Sequence, residues 1–189
     1  MTETCGDGVM TTQETFQFQD GGLKPTSPLQ FTIEIIKPKF ACDLNAMWHS
    51  RFPYIHYTNV TRTGKYAFYG ARYMNTYYAV AIWSRPIAAN RLNDGWKMLE
   101  LRRLAISKDA PKNTASRMLS WMRKDLKKRF PDIIKLISYQ DIEVHTGSIY
   151  KASGWIPVSS SKQVNWNTNN RKRNAPQSTA PKIRWEISL

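Results

Sequence analysis

Cysteine is nearly missing: Cys5 and Cys42 are the only two in 189 residues, and their spacing supports neither a disulfide framework nor a cysteine-based zinc site. Long apolar runs are missing too. None approaches the ~20 residues of a membrane-spanning helix, and the first residues lack a secretory-signal pattern. The expectation is therefore a protein of a reducing cytoplasm with no membrane partner. Acidic residues are scarce, 14 Asp and Glu against 28 Lys and Arg. The formal charge of +14 predicts a polyanionic partner such as nucleic acid, or else a basic protein that meets nucleic acid only incidentally. No internal repeat is present.

What remains suits one α/β domain, since 189 residues with 41% apolar content can build a proper core. Residues 1–30 are polar and glycine-containing and predict a mobile tail. Phe31 to Ile36 alternates as a strand that Pro38 closes, and Phe40 to His49 carries Ala41, Leu44, Met47 and Trp48 at helical spacing. This predicts a helix that buries Trp48 and ends at His49, followed by the turn-like WHSRFP. Lys65 to Met74 and Thr76 to Ser84 predict a hairpin turning at Asn75.

In KMLELRRLAIS, Leu99 and Leu101 share a period-two face, but Leu104 and Ile106 fall out of phase by one residue. Either a bulge absorbs Arg102 or Arg103 and frees backbone amides for a ligand, or the strand is covered on both faces and phase carries no meaning. Next, Ala115, Met118, Leu119, Met122, Leu126 and Phe130 make a core-facing helix stripe that Asn113 or Thr114 can cap. The N-terminus of that helix follows the strand directly and is a candidate anion site for a phosphate or diphosphate. Arg103 with Leu104 and Ala105 on the strand, and Thr114, Ala115 and Ser116 at the helix start, are the residues expected to bind such a ligand. The structural alternatives are a salt bridge from Arg103 to Glu100 or another acid and ordinary first-turn placement for Ser116.

The centre of the chain is PDIIKLISYQDIEVHTGSIYKASGWIPV, residues 131–158. Ile133, Ile134, Leu136 and Ile137 predict a buried strand that Asp141 leaves at its carboxyl end. Val144 to Ser153 predicts a helix ended by Gly154, and Trp155, Ile156 and Val158 start a further strand. Ligands in open α/β sheets collect at strand carboxyl ends, which places Asp141, His145 and Tyr150 where chemistry is expected. Residues 159–181 form a polar insertion carrying Arg171, Lys172 and Arg173, and Lys182 to Leu189 alternates as a closing strand. The three basic residues are expected to contact a phosphate backbone, the alternative being a loop that never touches one.

This order of elements resembles the N-acetyltransferase (GNAT) fold, a mixed central sheet with flanking helices, and SIYKASGW is similar to that family's helix ending in Y-x-x-x-G-F/W. A narrower resemblance, over roughly Phe40 to Val158, is to the phage Mom proteins. It rests on Trp48-His49 with Ser50-Arg51 and Pro53, on LELRRLAIS, on Ala115-Ser116-Arg117, and on SYQD followed by HTGSIYKASGW. Two departures stand out. DAPKNTA, where acetyltransferases carry a glycine-rich diphosphate loop, has no glycine, and WHSR lacks the aromatic residue that the Mom family commonly shows after the histidine.

The resemblance implies an enzyme that adds a carbamoylmethyl (methylcarbamoyl) group to adenine N6 in double-stranded DNA and so protects it from restriction, acting in the host cytoplasm if phage-encoded. It implies His49, Asp141 and Tyr150 as catalytic residues, with Tyr150 protonating a leaving thiolate and Asp141 orienting the adenine amino group, acting as base, or capping the next helix. It implies an acyl-CoA-type donor such as acetyl-CoA, and DNA contacts from Arg51 beside those of the basic insertion. Iron has been linked to the family, and His49, Asp141 and His145 are ligand types that suit it. A base buried in a duplex has to be flipped out for such chemistry, and the aromatics from Phe52 to Tyr78 offer either stacking surfaces or a packed core. The alternatives are an acetyl-CoA-dependent N-acetyltransferase of a protein or small amine, and a non-catalytic DNA-binding protein on a degenerate acyltransferase fold.

Overall fold

The computed structural model describes residues 24–87, 97–162 and 180–189. Seven strands form one sheet in the order β1-β2-β3-β4-β5-β7-β6. They are β1 (Thr32–Ile35), β2 (Tyr66–Tyr73), β3 (Thr76–Ser84), β4 (Met98–Ile106), β5 (Lys135–Asp141), β6 (Ile156–Ser161) and β7 (Lys182–Ser188). Every pairing is antiparallel except that of β4 with β5. The helices are α1 (Pro38–Trp48), α2 (Tyr57–Thr61), α3 (Thr114–Arg129) and α4 (Ser148–Ala152).

Both faces of the central strands are buried. Ala67, Tyr69, Ala79, Ala81 and Trp83 pack with Met118, Leu119, Met122 and Leu126 of α3, while Phe68, Val80 and Ile82 pack with Ala41 and Leu44 of α1. Alternation along β2 and β3 therefore sorts apolar side chains between two cores rather than between core and water. The Trp83 indole N–H donates to Met122 Sδ at 3.2 Å and ties the sheet to α3.

The phase break in β4 is a bulge. Ile82 pairs with Arg103 and Trp83 with Leu101, so Arg102 is the extra residue. Leu99, Leu101, Leu104 and Ile106 consequently all meet the α3-side core, and Ala105 meets the α1-side core. Bulge and two-sided burial hold together. Pairing of β4 with β5 ends at Leu101 and Ser138, so from Arg102 onward the β5-facing edge of β4 has no strand partner among the described residues. The sheet splits there, and α3 starts beyond the split.

Several expectations are corrected. Pro38 is the first residue of α1 rather than the stop of β1, because its fixed φ and missing N–H suit a helix start. On α1 the buried residues are Ala41, Leu44 and Asn45, while Met47 is 58% exposed and Trp48 only half-buried. The five-residue α2 follows a stretch that read as turn. Ile134 is exposed and precedes β5. The helix expected from Val144 shrinks to α4, since Gly147 in the left-handed region (φ 76°) caps it. Gly154 (φ 77°) lies just past its end, as expected. Of the expected 1–30 tail, residues 1–23 lie outside the described residues; in the described part, Ser27 and Gln30 close a capping box on a 3-10 turn at Pro28–Gln30, and Lys24 bonds Asp109 at 2.9 Å.

Candidate active site

The stretch between α1 and α2 closes over the mouth of the split. His49 ends α1, and Asn45, a polar residue on the buried face, donates from Nδ2 to the carbonyls of Phe52 at 3.1 Å and Pro53 at 2.8 Å. Phe52 is held on both backbone groups. Its N–H donates to His49 Nδ1 at 3.2 Å, and its carbonyl also accepts from Arg103 Nε at 3.3 Å. The His49 ring meets the Phe52 ring edge-on at 5.9 Å, and the Arg103 guanidinium lies over that ring at 5.1 Å. Across the split, Lys182 Nζ lies 6.0 Å from the same ring, and Arg51 reaches Glu143 at 3.1 Å.

His49, Arg103 and the end of β5 are thus brought together. Burial, then the neighbouring Arg103 charge, then His145 push the His49 pKa down to about 4, so the imidazole is neutral at pH 7. Burial, reinforced by Arg102, lowers Arg103 to about 10, still cationic. The alternative for Arg103, a salt bridge to Glu100 or another acid, is not formed among the described residues, and Glu100 is approached by Arg102 at 3.8 Å. Its hydrogen bonds go to carbonyls, Phe52 from Nε and Arg102 from Nη1.

Asp141 is the last residue of β5, paired across to Lys182 and only 9% exposed. It caps the turn that follows rather than α4: its Oδ1 accepts from Glu143 N–H at 3.1 Å and its carbonyl from Val144 and His145. By strand alternation it lies on the opposite face from Ser138 and Gln140. His145 belongs to that turn, with its carbonyl held by Gln140 Nε2 at 2.5 Å.

Tyr150 stands apart from this cluster. Its ring lies between Trp155 and Trp185, at 5.7 and 5.2 Å, and its hydroxyl shares a 2.8 Å hydrogen bond with Ser138 Oγ. Burial raises its pKa and keeps the hydroxyl protonated, the form a general acid needs. Because Ser138 is the last β5 residue paired to β4, that hydroxyl sits at the apex of the split.

At the start of α3, Asn113 adopts the left-handed conformation (φ 67°) that a glycine usually supplies, and Asn tolerates it better than most residues. The glycine-free loop therefore still makes its turn. Asn113 gives no side-chain cap. Thr114 Oγ1 donates to Pro111 O at 2.7 Å and Ser116 Oγ to Asn113 O at 3.0 Å, which leaves first-turn N–H groups, Ala115 among them, without an intrahelical carbonyl. With the unpaired edge from Arg102 to Ile106, which includes Leu104 and Ala105, they fit an anionic diphosphate.

The residues of the candidate metal site do not fit iron. Among the described residues no group of three or more His, Cys, Asp or Glu side chains could hold a metal ion, and His49 Nδ1 already accepts an amide hydrogen. Arg51 is ion-paired, so its DNA role would compete with Glu143. Arg171, Lys172 and Arg173 lie outside the described residues. Of the aromatics between Phe52 and Tyr78, Phe68, Tyr69 and Tyr78 are core, whereas Tyr54 is 88% exposed, with Tyr57 and Tyr66 also at the surface. Asn45, Phe52 and Lys182 complete the site without having been expected in it. A lone Asn on an apolar helix face was the available signal for the first.

The Mom protein family model matches residues 30–187. The chain belongs to the Mom protein family. No curated protein matches it in sequence. In fold, this Mom-family chain is similar to the ribosomal-protein-S5-alanine acetyltransferase of Vibrio fischeri (TM-score 0.59, 8% identity, 84% of this chain and 93% of that one). It is also similar to spermidine N-acetyltransferase of Vibrio cholerae in complex with CoA and spermine (TM-score 0.58, 11% identity, 85% and 96%). A GNAT family acetyltransferase of Elizabethkingia anophelis with acetyl-CoA bound matches at TM-score 0.56 and 15% identity, over 85% and 99%. The fold is that of the GNAT acetyltransferases. No helix among the described residues is long and apolar enough to cross a membrane.

Proposed function

We propose that the protein modifies adenine N6 in DNA with a carbamoylmethyl (methylcarbamoyl) group, using an acyl-CoA-type donor, and thereby shields phage DNA from host restriction in the host cytoplasm. The observation that carries this reading is the Mom family match over residues 30–187. The +14 charge supports a polyanionic substrate. Bound at the β4 edge and α3 N-terminus, such a donor would supply an activated thioester and a leaving thiolate. The α3 amides and Arg103 would hold its charge, Asp141 would orient the amino group and take its proton, and Tyr150 would return a proton to the thiolate. Attack of the amino nitrogen on a thioester carbonyl, with the thiolate leaving, makes an N6–acyl bond. The carbamoylmethyl group is joined to N6 through its CH2 carbon and carries an amide nitrogen. The adduct therefore requires a donor presenting an activated CH2–C(=O)NH2 unit, with the leaving group on the CH2 carbon, in place of an acetyl thioester.

Expression of the chain in a bacterial host, followed by mass spectrometry of nucleosides from its DNA, tests the reading. A carbamoylmethyl adduct of deoxyadenosine is expected. The acetyltransferase neighbours favour a second reading, N-acetylation of a protein or small amine, and that would leave DNA nucleosides unmodified while labelled acetyl-CoA is consumed. Unmodified DNA that is bound tightly, with no acetyl-CoA consumption, would point to a non-catalytic DNA-binding protein.

A further inference from the structure

A neutral imidazole carries one proton. Where Nδ1 accepts a hydrogen bond, that proton is on Nε2. His49 Nδ1 accepts from the Phe52 N–H, so the ring presents an N–H, with no lone pair, at Nε2. The neighbouring Arg103 is a buried guanidinium whose hydrogen bonds go to two carbonyls, and no carboxylate lies within salt-bridge distance of it among the described residues. Glu100 acts on the Arg103 charge only through space, without a salt bridge, and a buried cation compensated no more closely than that is costly to maintain. Phe52 orients both donors through its own backbone, one on its N–H and one on its carbonyl.

We propose that His49 Nε2–H and the Arg103 guanidinium form a two-donor site for a negatively charged oxygen, a carboxylate or a carbonyl oxygen gaining charge, with Phe52 as its positioning residue. His49 is then a hydrogen-bond donor and neither a general base nor a metal ligand. Its low proton affinity fits, because a charged imidazolium would lose the Nδ1 acceptor that fixes the ring. The site acts within the transfer reaction proposed above, but its chemistry is testable without it.

Nitrogen-15 imidazole spectra of the full chain, assigned with His49→Gln, decide the tautomer. Nε2–H is expected from pH 8 down to pH 5 with no titration of that ring. An Nδ1–H tautomer, or a titration midpoint near the ordinary ~6.5, overturns the proposal. Acetate is the oxygen probe: its titration should shift the His49 Nε2–H signal saturably in the parent and at least about tenfold more weakly in Arg103→Gln, the effect of about one hydrogen-bonded charge. No shift in the parent overturns the site.

Adduct formation gives a third readout. His49→Gln, which returns an N–H near the Nε2 position, should stay within about tenfold of the parent, while His49→Asn and His49→Ala fall by about 100-fold or more, as when an oxyanion donor is removed. Equal loss in Gln and Ala variants that keep the parent's amide spectrum overturns the donor role. If the parent itself forms no adenine adduct, the adenine reading fails, and the tautomer and acetate results still decide this one.

Discussion

Single side chains carry distinguishable consequences. Tyr150→Phe removes only the hydroxyl that meets Ser138 at 2.8 Å, leaving the stacking on Trp185 intact. Loss of one buried hydrogen bond should lower stability by about 1 kcal/mol in denaturant titration. If the hydroxyl is also the acid, transfer should fall by about 100-fold or more, and unchanged turnover in that variant would reduce Tyr150 to packing. His49 predicts a pH dependence of stability. Its pKa of about 4 in the folded chain lies below the ordinary ~6.5 of an unfolded histidine. Between those values the unfolded state binds more protons, so stability is full above pH ~6.5 and declines as pH falls toward ~4. Thermal unfolding at pH 7 and at about pH 4.5 should differ less in His49→Gln than in the parent, and equal differences would refute the linkage.

Elements translate those side chains into a site, and the turns between elements are its weak points. Gly147 is at φ 76°, and a Cβ there would lie 2.6 Å from Gln140 Oε1 and 2.7 Å from the Trp185 ring. Gly147→Ala should therefore break the 2.7 Å bond from Trp185 Nε1 to Gln140, disturb the turn that holds His145, and cost about 1–3 kcal/mol; an unchanged melting temperature would contradict it. Asn113 offers the complementary test. Asn113→Gly should keep donor affinity, whereas Asn113→Ala pays about 1 kcal/mol for the left-handed conformation, read in the same melting experiment. Much of this architecture was legible from periodicity. The phase slip between Leu101 and Leu104 located the bulge because leucines on both sides of it share one core. Elsewhere the signal was missing. Residues 144–147 read as helix because Val144 has helical spacing to Ser148, yet a left-handed Gly147 ends that continuity. Arg103, His49 and Asp141 could be named from motifs, but not the Phe52 backbone that orients two of them, since any residue other than proline supplies both an N–H and a carbonyl.

At the scale of the whole molecule, the proposed DNA substrate has to be assigned to one face of a chain with a formal charge of +14. The sheet divides the basic residues. Lys124, Lys127 and Lys128 are exposed on α3, which covers the face of Tyr69 and Trp83, whereas Arg103, paired with Ile82, lies with His49 on the face covered by α1. Ser161 pairs with Lys182, and Lys182 with Asp141, so the basic segment containing Arg171, Lys172 and Arg173 leaves and rejoins the fold beside the candidate site. A duplex presenting adenine to Asp141 would approach the strand ends at Ser161 and Lys182, which bound that segment, and not α3. Replacing Arg171, Lys172 and Arg173 together with Ala should make the slope of log affinity against log salt shallower by about 0.9 for each phosphate no longer neutralised, equally for all sequences. Replacing Lys124, Lys127 and Lys128 should leave the slope unchanged. Binding titrations over a salt series decide between the faces. A slope that responds to the α3 variant and not to the other would put the DNA on the opposite side of the sheet from Asp141, which direct modification of a bound duplex cannot accommodate.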